Sequence, residues 1–91
     1  MDISYTKHAE ARRQQRQLPP AIIQWLFEFG AVEPQDGAEL LHFDKGARSR
    51  LGRALGDQVV GCLGKFMDAY AVVSDGQVVT VGYRYKRIRT R

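Results

Sequence analysis

Residues 69–83, AYAVVSDGQVVTVGY, give the clearest structural signal in the chain. Two runs rich in β-forming residues, 69–74 and 77–83, flank the dipeptide Asp75-Gly76. An Asp-Gly pair between such runs favours a two-residue β-hairpin, because both central residues of that turn need a positive φ. The C-terminal part of the chain therefore predicts an antiparallel pair of strands.

The second strand of this hairpin separates two sets of side chains, because successive residues of a strand point to opposite faces. One face is predicted to carry Thr80, Gly82, Arg84 and Lys86. The other is predicted to carry Val79, Val81, Tyr83 and Tyr85. The simplest interpretation is a half-buried strand with one core face and one solvated face.

Two helices are predicted before the sheet. The first covers residues 7–17 with Thr6 as its N-cap, and Leu18 ends it because a residue before proline is disfavoured in the helical region. Pro20 suits the first turn of a second helix, which runs to Phe29 and stops at Gly30. The apolar residues of this second helix recur at spacings of three and four, which is the helical period.

The middle of the chain predicts a second hairpin and a further helix. Short strands at 31–33 and 39–43 flank a turn at 34–37, and apolar residues then follow a helical stripe from 47 to 66. Asp44 is placed to cap that helix, and Gly56-Asp57 is a candidate break within it. The predicted fold is α+β, in the order α-α-β-β-α-β-β. Two N-terminal helices and one long or broken middle helix pack on a four-stranded antiparallel sheet.

Length and composition favour one domain, residues 1–91, with a basic tail at about 84–91. No stretch approaches about 18 consecutive apolar residues, and the N-terminus does not have the pattern of a signal peptide, so we expect a cytoplasmic protein without membrane contact. The single cysteine, Cys62, fits a reducing compartment and is expected to be a small buried hydrophobe.

Charge is distributed unevenly along the chain, whose net charge is +4. Residues 17–44 contain acidic side chains and no Lys or Arg, whereas residues 84–91 contain basic side chains and no acid. Such blocks create a field that attracts a polyanion, although a solvated basic tail without a specific partner has the same composition. An acidic face at 28–44 that meets a basic protein is another interpretation.

One polar cluster is predicted on the first helix. His8, Arg12 and Arg16 follow the spacing i, i+4, i+8 on one side of it, with Gln15 beside them. A histidine that moves a proton and arginines that hold a phosphate are the groups that cleavage of a phosphodiester would use. An ordinary polar helix surface has the same spacing. No His or Cys spacing matches a metal site, and no glycine pattern matches a nucleotide-binding loop.

A second polar cluster is predicted on the final strand and tail. Thr80, Arg84 and Arg87 are candidate phosphate contacts, and Tyr83 or Tyr85 is a candidate for base stacking or proton transfer. Lys86 and Arg89 would add to nucleic-acid binding. The arginines at 48, 50 and 53 are interpreted as a solvated helix face with a candidate role in phosphate contact.

The segment 7–16, KHAEARRQQR, followed by a helix that starts with proline, resembles the opening of a family of small bacterial and mobile-element proteins. The segment 78–89, VVTVGYRYKRIR, resembles the close of the same family. Its members are grouped with the RelE/ParE-like toxins of the barnase–EndoU–colicin–RelE fold, which implies two N-terminal helices against an antiparallel sheet. The positions that match are His8, Arg12, Gln15, Arg16, Thr80, Arg84 and Arg87. Tyr83 departs from the pattern, because many relatives have histidine there.

The resemblance implies a toxin-related endoribonuclease that acts on RNA or the ribosome without a metal or cofactor, and an antitoxin protein as a partner. His8 would then be the general acid or base, while Arg12, Arg16, Arg84 and Arg87 would stabilise the phosphate. Thr80 and Tyr83 would position the substrate. A module that binds nucleic acid or protein without catalysis is the alternative.

Overall fold

The computed structural model describes residues 3–84. Its elements, in chain order, are β1 (Ser4–Tyr5), α1 (Lys7–Gln15), α2 (Pro20–Phe29), β2 (Ala31–Gln35), β3 (Ala38–His42), α3 (Lys45–Leu55), α4 (Asp57–Leu63), a 3₁₀-helix (Gly64–Asp68), β4 (Ala69–Ser74) and β5 (Gln77–Tyr83). Tyr85, Lys86, Arg87 and Arg89, predicted above as tail contacts, lie outside the described residues.

The sheet has five strands in the order β1-β5-β4-β3-β2, and the α+β class is confirmed. The four predicted strands form the antiparallel part, but the prediction of a purely antiparallel, four-stranded sheet was wrong. β1 adds a parallel strand beside β5, where Ser4 pairs with Gln77 and Tyr5 with Val78. A strand of two residues is too short to show an alternating pattern in the sequence. Its pairing depends on a partner that is distant in the chain.

Both hairpins turn on an Asp-Gly pair. Asp75 and Gly76 have φ of 53° and 76° between β4 and β5, as their residue types predict. In the β2–β3 hairpin the turn is only Asp36-Gly37, so the predicted four-residue turn was too long. Pro34 belongs to β2 instead, an edge strand, where a missing N–H is tolerated.

The caps and stops of the helices follow the predictions closely. The Thr6 Oγ1 accepts the Ala9 N–H at 3.1 Å, and the Asp44 Oδ1 accepts the Ala47 N–H at 2.8 Å. The predicted 47–66 stripe divides into α3, α4 and the 3₁₀-helix, with a break at Gly56, whose φ is 97°. Cys62 lies exposed on α4, so its prediction as a buried residue was wrong.

One face of the sheet meets the core. Leu41, Ala71, Val78 and Val81 pack there with the apolar side chains of α1, α2 and α3. We call this the inner face and its opposite the outer face. Strand β5 has a bulge, because Val72 pairs with Thr80 while Val73 pairs with Val78. The extra residue lets Val78 and Val81 share the inner face, which simple alternation would not allow.

Of the helices in residues 3–84, none has the length and apolar character needed to cross a membrane.

Candidate functional site

Helix α1 lies along the edge of β5 and satisfies its open backbone carbonyls. The Thr6 N–H donates to the Val78 carbonyl at 3.0 Å, and the Arg12 Nε donates to the Val81 carbonyl at 3.4 Å. The Thr6 hydroxyl reaches the Val79 carbonyl at 3.5 Å. These bonds cover a strand edge that would otherwise present unpaired groups, and they give Arg12 a structural contact besides its predicted role.

The predicted catalytic residues are separated by this arrangement. His8 is exposed in the first turn of α1, whereas Arg16 caps the other end, about 12 Å away along the helix axis at 1.5 Å per residue. Thr80 lies opposite Val72 on the outer face, and Tyr83 lies opposite Ala69 on the inner face. Arg16 and Tyr83 come together, whereas His8 and Thr80 do not join them.

Arg16 and Tyr83 line a groove between the end of α1 and the 3₁₀-helix. We call it the α1–β5 groove; its volume is about 280 Å³ and its lining residues are Gln15, Arg16, Gln17, Lys65, Asp68 and Tyr83. Gln17 has a φ of 55°, which turns the chain away from α1 at this point. Gln17, Lys65 and Asp68 were missed by the sequence analysis.

The cations of the groove are only partly neutralised. The Arg16 Nε is buried and makes no hydrogen bond within residues 3–84. The Lys65 Nζ lies 5.7 Å from the centroid of the Tyr83 ring and 5.9 Å from that of Phe66, which is the distance of a cation–π contact. The Asp68 carboxylate of the groove forms an ion pair with Arg48, and the Arg48 Nη2 lies 3.6 Å from the Asp68 Oδ1. The groove therefore suits a small anion next to an aromatic surface.

A second polar cluster occupies the outer face, centred on His42. Its side chain is 10% exposed and lies between Glu33 of β2 and Arg84, the residue that follows β5. The Arg84 Nη1 is 3.3 Å from the His42 Nδ1, and the Glu33 Oε2 is 2.8 Å from the His42 Nε2. Because a guanidinium can only donate, Nδ1 accepts, and the ring proton is on Nε2, toward Glu33. The His42 Nε2 and the Glu33 Oε2 are within ion-pair distance, but they are not aligned for a hydrogen bond.

Cross-strand pairing brings other polar residues to the same outer face. His42 pairs with Tyr70, and Tyr70 pairs with Gly82, so the three share one face. The Tyr70 ring fills the space above Gly82, where an added Cβ would meet its hydroxyl at 2.9 Å. Thr80 and Arg84, both predicted site residues, belong to this face and not to the groove. The sequence analysis missed Glu33 and His42, because no local pattern links residues so far apart.

Two of the arginines predicted as a solvated helix face, Arg48 and Arg50, are exposed as predicted, and they also bind backbone carbonyls. Arg48 donates through Nε to the Phe43 carbonyl at 3.1 Å and through Nη2 to the Met67 carbonyl at 3.2 Å. Arg50 donates twice to the Phe29 carbonyl, at 3.2 and 3.0 Å. Both side chains tie α3 to neighbouring segments, which makes them poor candidates for phosphate contact.

Within the described part of the chain, no three His, Cys, Asp or Glu side chains are grouped closely enough to hold a metal ion. No protein-family model matches the chain, and comparisons with curated proteins and with solved structures give no significant match. The geometry of the groove and of the outer face therefore carries the functional argument.

Proposed function

We propose that this chain binds RNA through the α1–β5 groove, as a protein related to RelE/ParE-like toxins. The observation that carries the proposal is that Arg16 and Lys65 line one groove, and that the Arg16 Nε makes no hydrogen bond within residues 3–84. A buried polar donor without a partner is costly, and in a native protein it calls for a ligand, a water or a strained function.

A phosphodiester suits a groove that an arginine lines. Guanidinium groups bind phosphate oxygens through parallel N–H bonds, and Lys65, across the groove, supplies a second positive charge. Gln15 and Gln17 offer amide groups for the sugar or the base edge. RNA fits better than a free anion, because the Tyr83 ring in the groove offers an aromatic surface for an unpaired base.

The arrangement of elements agrees with what the resemblance implies. Two N-terminal helices pack against a sheet that is mostly antiparallel, and the segments that carry the resemblance, α1 and β5, are in contact along the helix. Gln15 and Arg16, which match the family pattern, line the groove together. These features support the proposal, although fold alone does not assign an activity.

The experiment measures binding of a labelled single-stranded RNA oligonucleotide of mixed sequence to the full chain. Arg16→Gln and Lys65→Gln should each weaken binding about tenfold or more, because a hydrogen bond to a charged group is worth roughly 1.5–3 kcal/mol. Arg53→Gln is the matched control, since Arg53 is an exposed arginine on α3 that does not line the groove. Equal losses in all three variants would mean non-specific charge attraction and would refute the groove.

A further inference from the structure

We propose that His42 is a pH-sensitive switch, which holds the Arg84 side chain against the outer face while its ring is neutral and releases it when the ring is protonated. We call Glu33, His42 and Arg84 the trio. The inference goes beyond the proposed function, because it concerns the outer face of the sheet and requires no RNA. The sequence analysis predicted Arg84 as a phosphate contact and assigned no role to His42.

The neutral ring of His42 serves Arg84 as a hydrogen-bond acceptor. The Arg84 Nη1 lies 3.3 Å from the His42 Nδ1, and a guanidinium has only donors, so the lone pair of Nδ1 accepts. The His42 side chain is only 10% exposed, so little of it faces water that could replace this contact. Arg84 is therefore held by a group whose capacity to accept depends on its protonation state.

Protonation removes that acceptor and introduces repulsion. In an imidazolium both ring nitrogens carry a hydrogen, so Nδ1 no longer accepts, and two positive charges then face each other at 3.3 Å. The imidazolium has an opposite charge on its other side, because the Glu33 Oε2 lies 2.8 Å from the His42 Nε2. The protonated ring therefore binds Glu33 and releases Arg84.

The ionisable neighbours of His42 leave the imidazole as the group that switches. On the outer face, within residues 3–84, they are Glu33 of β2, Tyr70 of β4 and Arg84 after β5. Between pH 5 and 8 a carboxylate stays ionised, a phenol stays neutral and a guanidinium stays charged, whereas an imidazole changes its charge. A change at Arg84 in that range is therefore produced by His42.

The strands keep their pairing whichever state the ring is in. The Arg84 N–H donates to the Asp68 carbonyl at 2.8 Å, and His42 pairs with Tyr70 in the sheet. These pairings use backbone atoms, which do not titrate. Acid therefore moves the Arg84 side chain from the sheet to solvent and leaves β5 in place. Arg84 is the first residue of the basic segment 84–91, so the switch acts where that segment begins.

The test follows arginine and histidine side chains by NMR in the ¹⁵N-labelled full chain between pH 5 and 8, where imidazole titrates. The Arg84 Nε signal should shift together with the His42 ring, and not with the ring of His8, which is exposed on α1. Arg50 is the matched control, because its guanidinium donates to the Phe29 carbonyl, which does not titrate. The Arg50 Nε signal should stay constant.

Two variants fix the switch in one state each. The side-chain carbonyl of His42→Gln accepts a hydrogen bond at every pH, so the Arg84 signal should keep its neutral-pH wild-type position throughout the series. His42→Ala has no acceptor, so the Arg84 signal should keep the position that wild type shows in acid. His8→Gln is the control for histidine titration elsewhere, and its Arg84 transition should equal that of wild type.

Three results would overturn the switch. They are an Arg84 signal that stays constant while His42 titrates, a His42 ring that does not titrate in this range, and an Arg84 transition that persists in folded His42→Gln. Thermal unfolding shows whether each variant is folded. If a His42 variant does not fold, the wild-type titration decides, because it compares Arg84 with Arg50 in one protein.

Discussion

Single residues in this protein act mainly by satisfying backbone groups that the fold leaves open. Arg12 donates to a carbonyl of the edge strand β5, and Arg48 donates to Phe43 and Met67. A basic residue in a sequence of net charge +4 therefore need not face a polyanion. Arg16 departs from this pattern, because its Nε is buried without a hydrogen bond within residues 3–84, and it therefore carries the functional proposal.

The ion pair on α1 makes stability depend on pH. Arg13 donates to Glu10 through Nε at 3.0 Å and through Nη2 at 2.6 Å, and these bonds lower the pKa of the Glu10 carboxyl. A lowered folded pKa means that the stabilisation is present above the ordinary glutamate pKa. It is lost as the pH falls through the folded value.

We therefore expect Glu10→Gln to lower the free energy of unfolding at neutral pH and to have no effect at acidic pH, where wild-type Glu10 is protonated. Glutamine still accepts a hydrogen bond from Arg13, so the difference isolates the charge. Urea denaturation at a series of pH values measures it, with Glu28→Gln as the control at an exposed position on α2. A difference that stays constant across the pH series would contradict this expectation.

At the scale of elements, the boundaries depend on caps and turns that the sequence makes visible. The side chain of Asp44 accepts the Ala47 N–H and fixes the start of α3, whose buried residues Ala47 and Leu51 then pack into the core. Replacing an N-cap removes one bond to an otherwise unpaired backbone donor.

Asp44→Ala should destabilise the protein by about 1 kcal/mol, whereas Asp44→Ser should cost much less, because serine is also a good N-cap. Denaturant unfolding of the two variants measures both values. The comparison cancels the change in net charge, which is the same in each. Equal destabilisation by alanine and serine would mean that the cap bond contributes nothing and that charge alone matters.

Local signals explain why most of the fold was predictable. The two Asp-Gly turns, the caps Thr6 and Asp44, and the stop at Gly30 each act within a few residues. β1 was missed because two residues pair with a strand more than seventy positions away. The sequence indicates Gly56 as a candidate break in the helix. The structure shows that the helix ends there, because Gly56 has a φ of 97°.

The candidate site was harder to predict than the fold, for the same physical reason. Arg16 and Gln15 share one end of a helix, and their proximity follows from spacing. Lys65 and Tyr83 reach them only through the packing of the 3₁₀-helix beside β5. The trio of Glu33, His42 and Arg84 requires the register of four strands, which no local pattern encodes.

At the scale of the described molecule, residues 3–84, the two ends of β5 adjoin surfaces of different charge. The turns of the two hairpins adjoin at one end, where Asp36, Glu39 and Asp75 line a shared depression and Ser74 donates to the Gly37 carbonyl at 3.3 Å. The groove with Arg16 and Lys65 lies at the other end of β5. A polyanion is therefore repelled from one end of the sheet and attracted to the other.

This segregation predicts how RNA binding depends on salt. Each phosphate neutralised on a single strand contributes about −0.7 to the slope of log Kobs against log salt. If Arg16 and Lys65 each contact one phosphate, then Arg16→Gln and Lys65→Gln should each make the slope shallower by about 0.7. The control Arg53→Gln should leave the slope unchanged, because it changes the net charge equally without touching the groove. Titrations at several salt concentrations measure the slopes. A slope that shifts equally in all three variants would mean that net charge, and not the groove, determines binding.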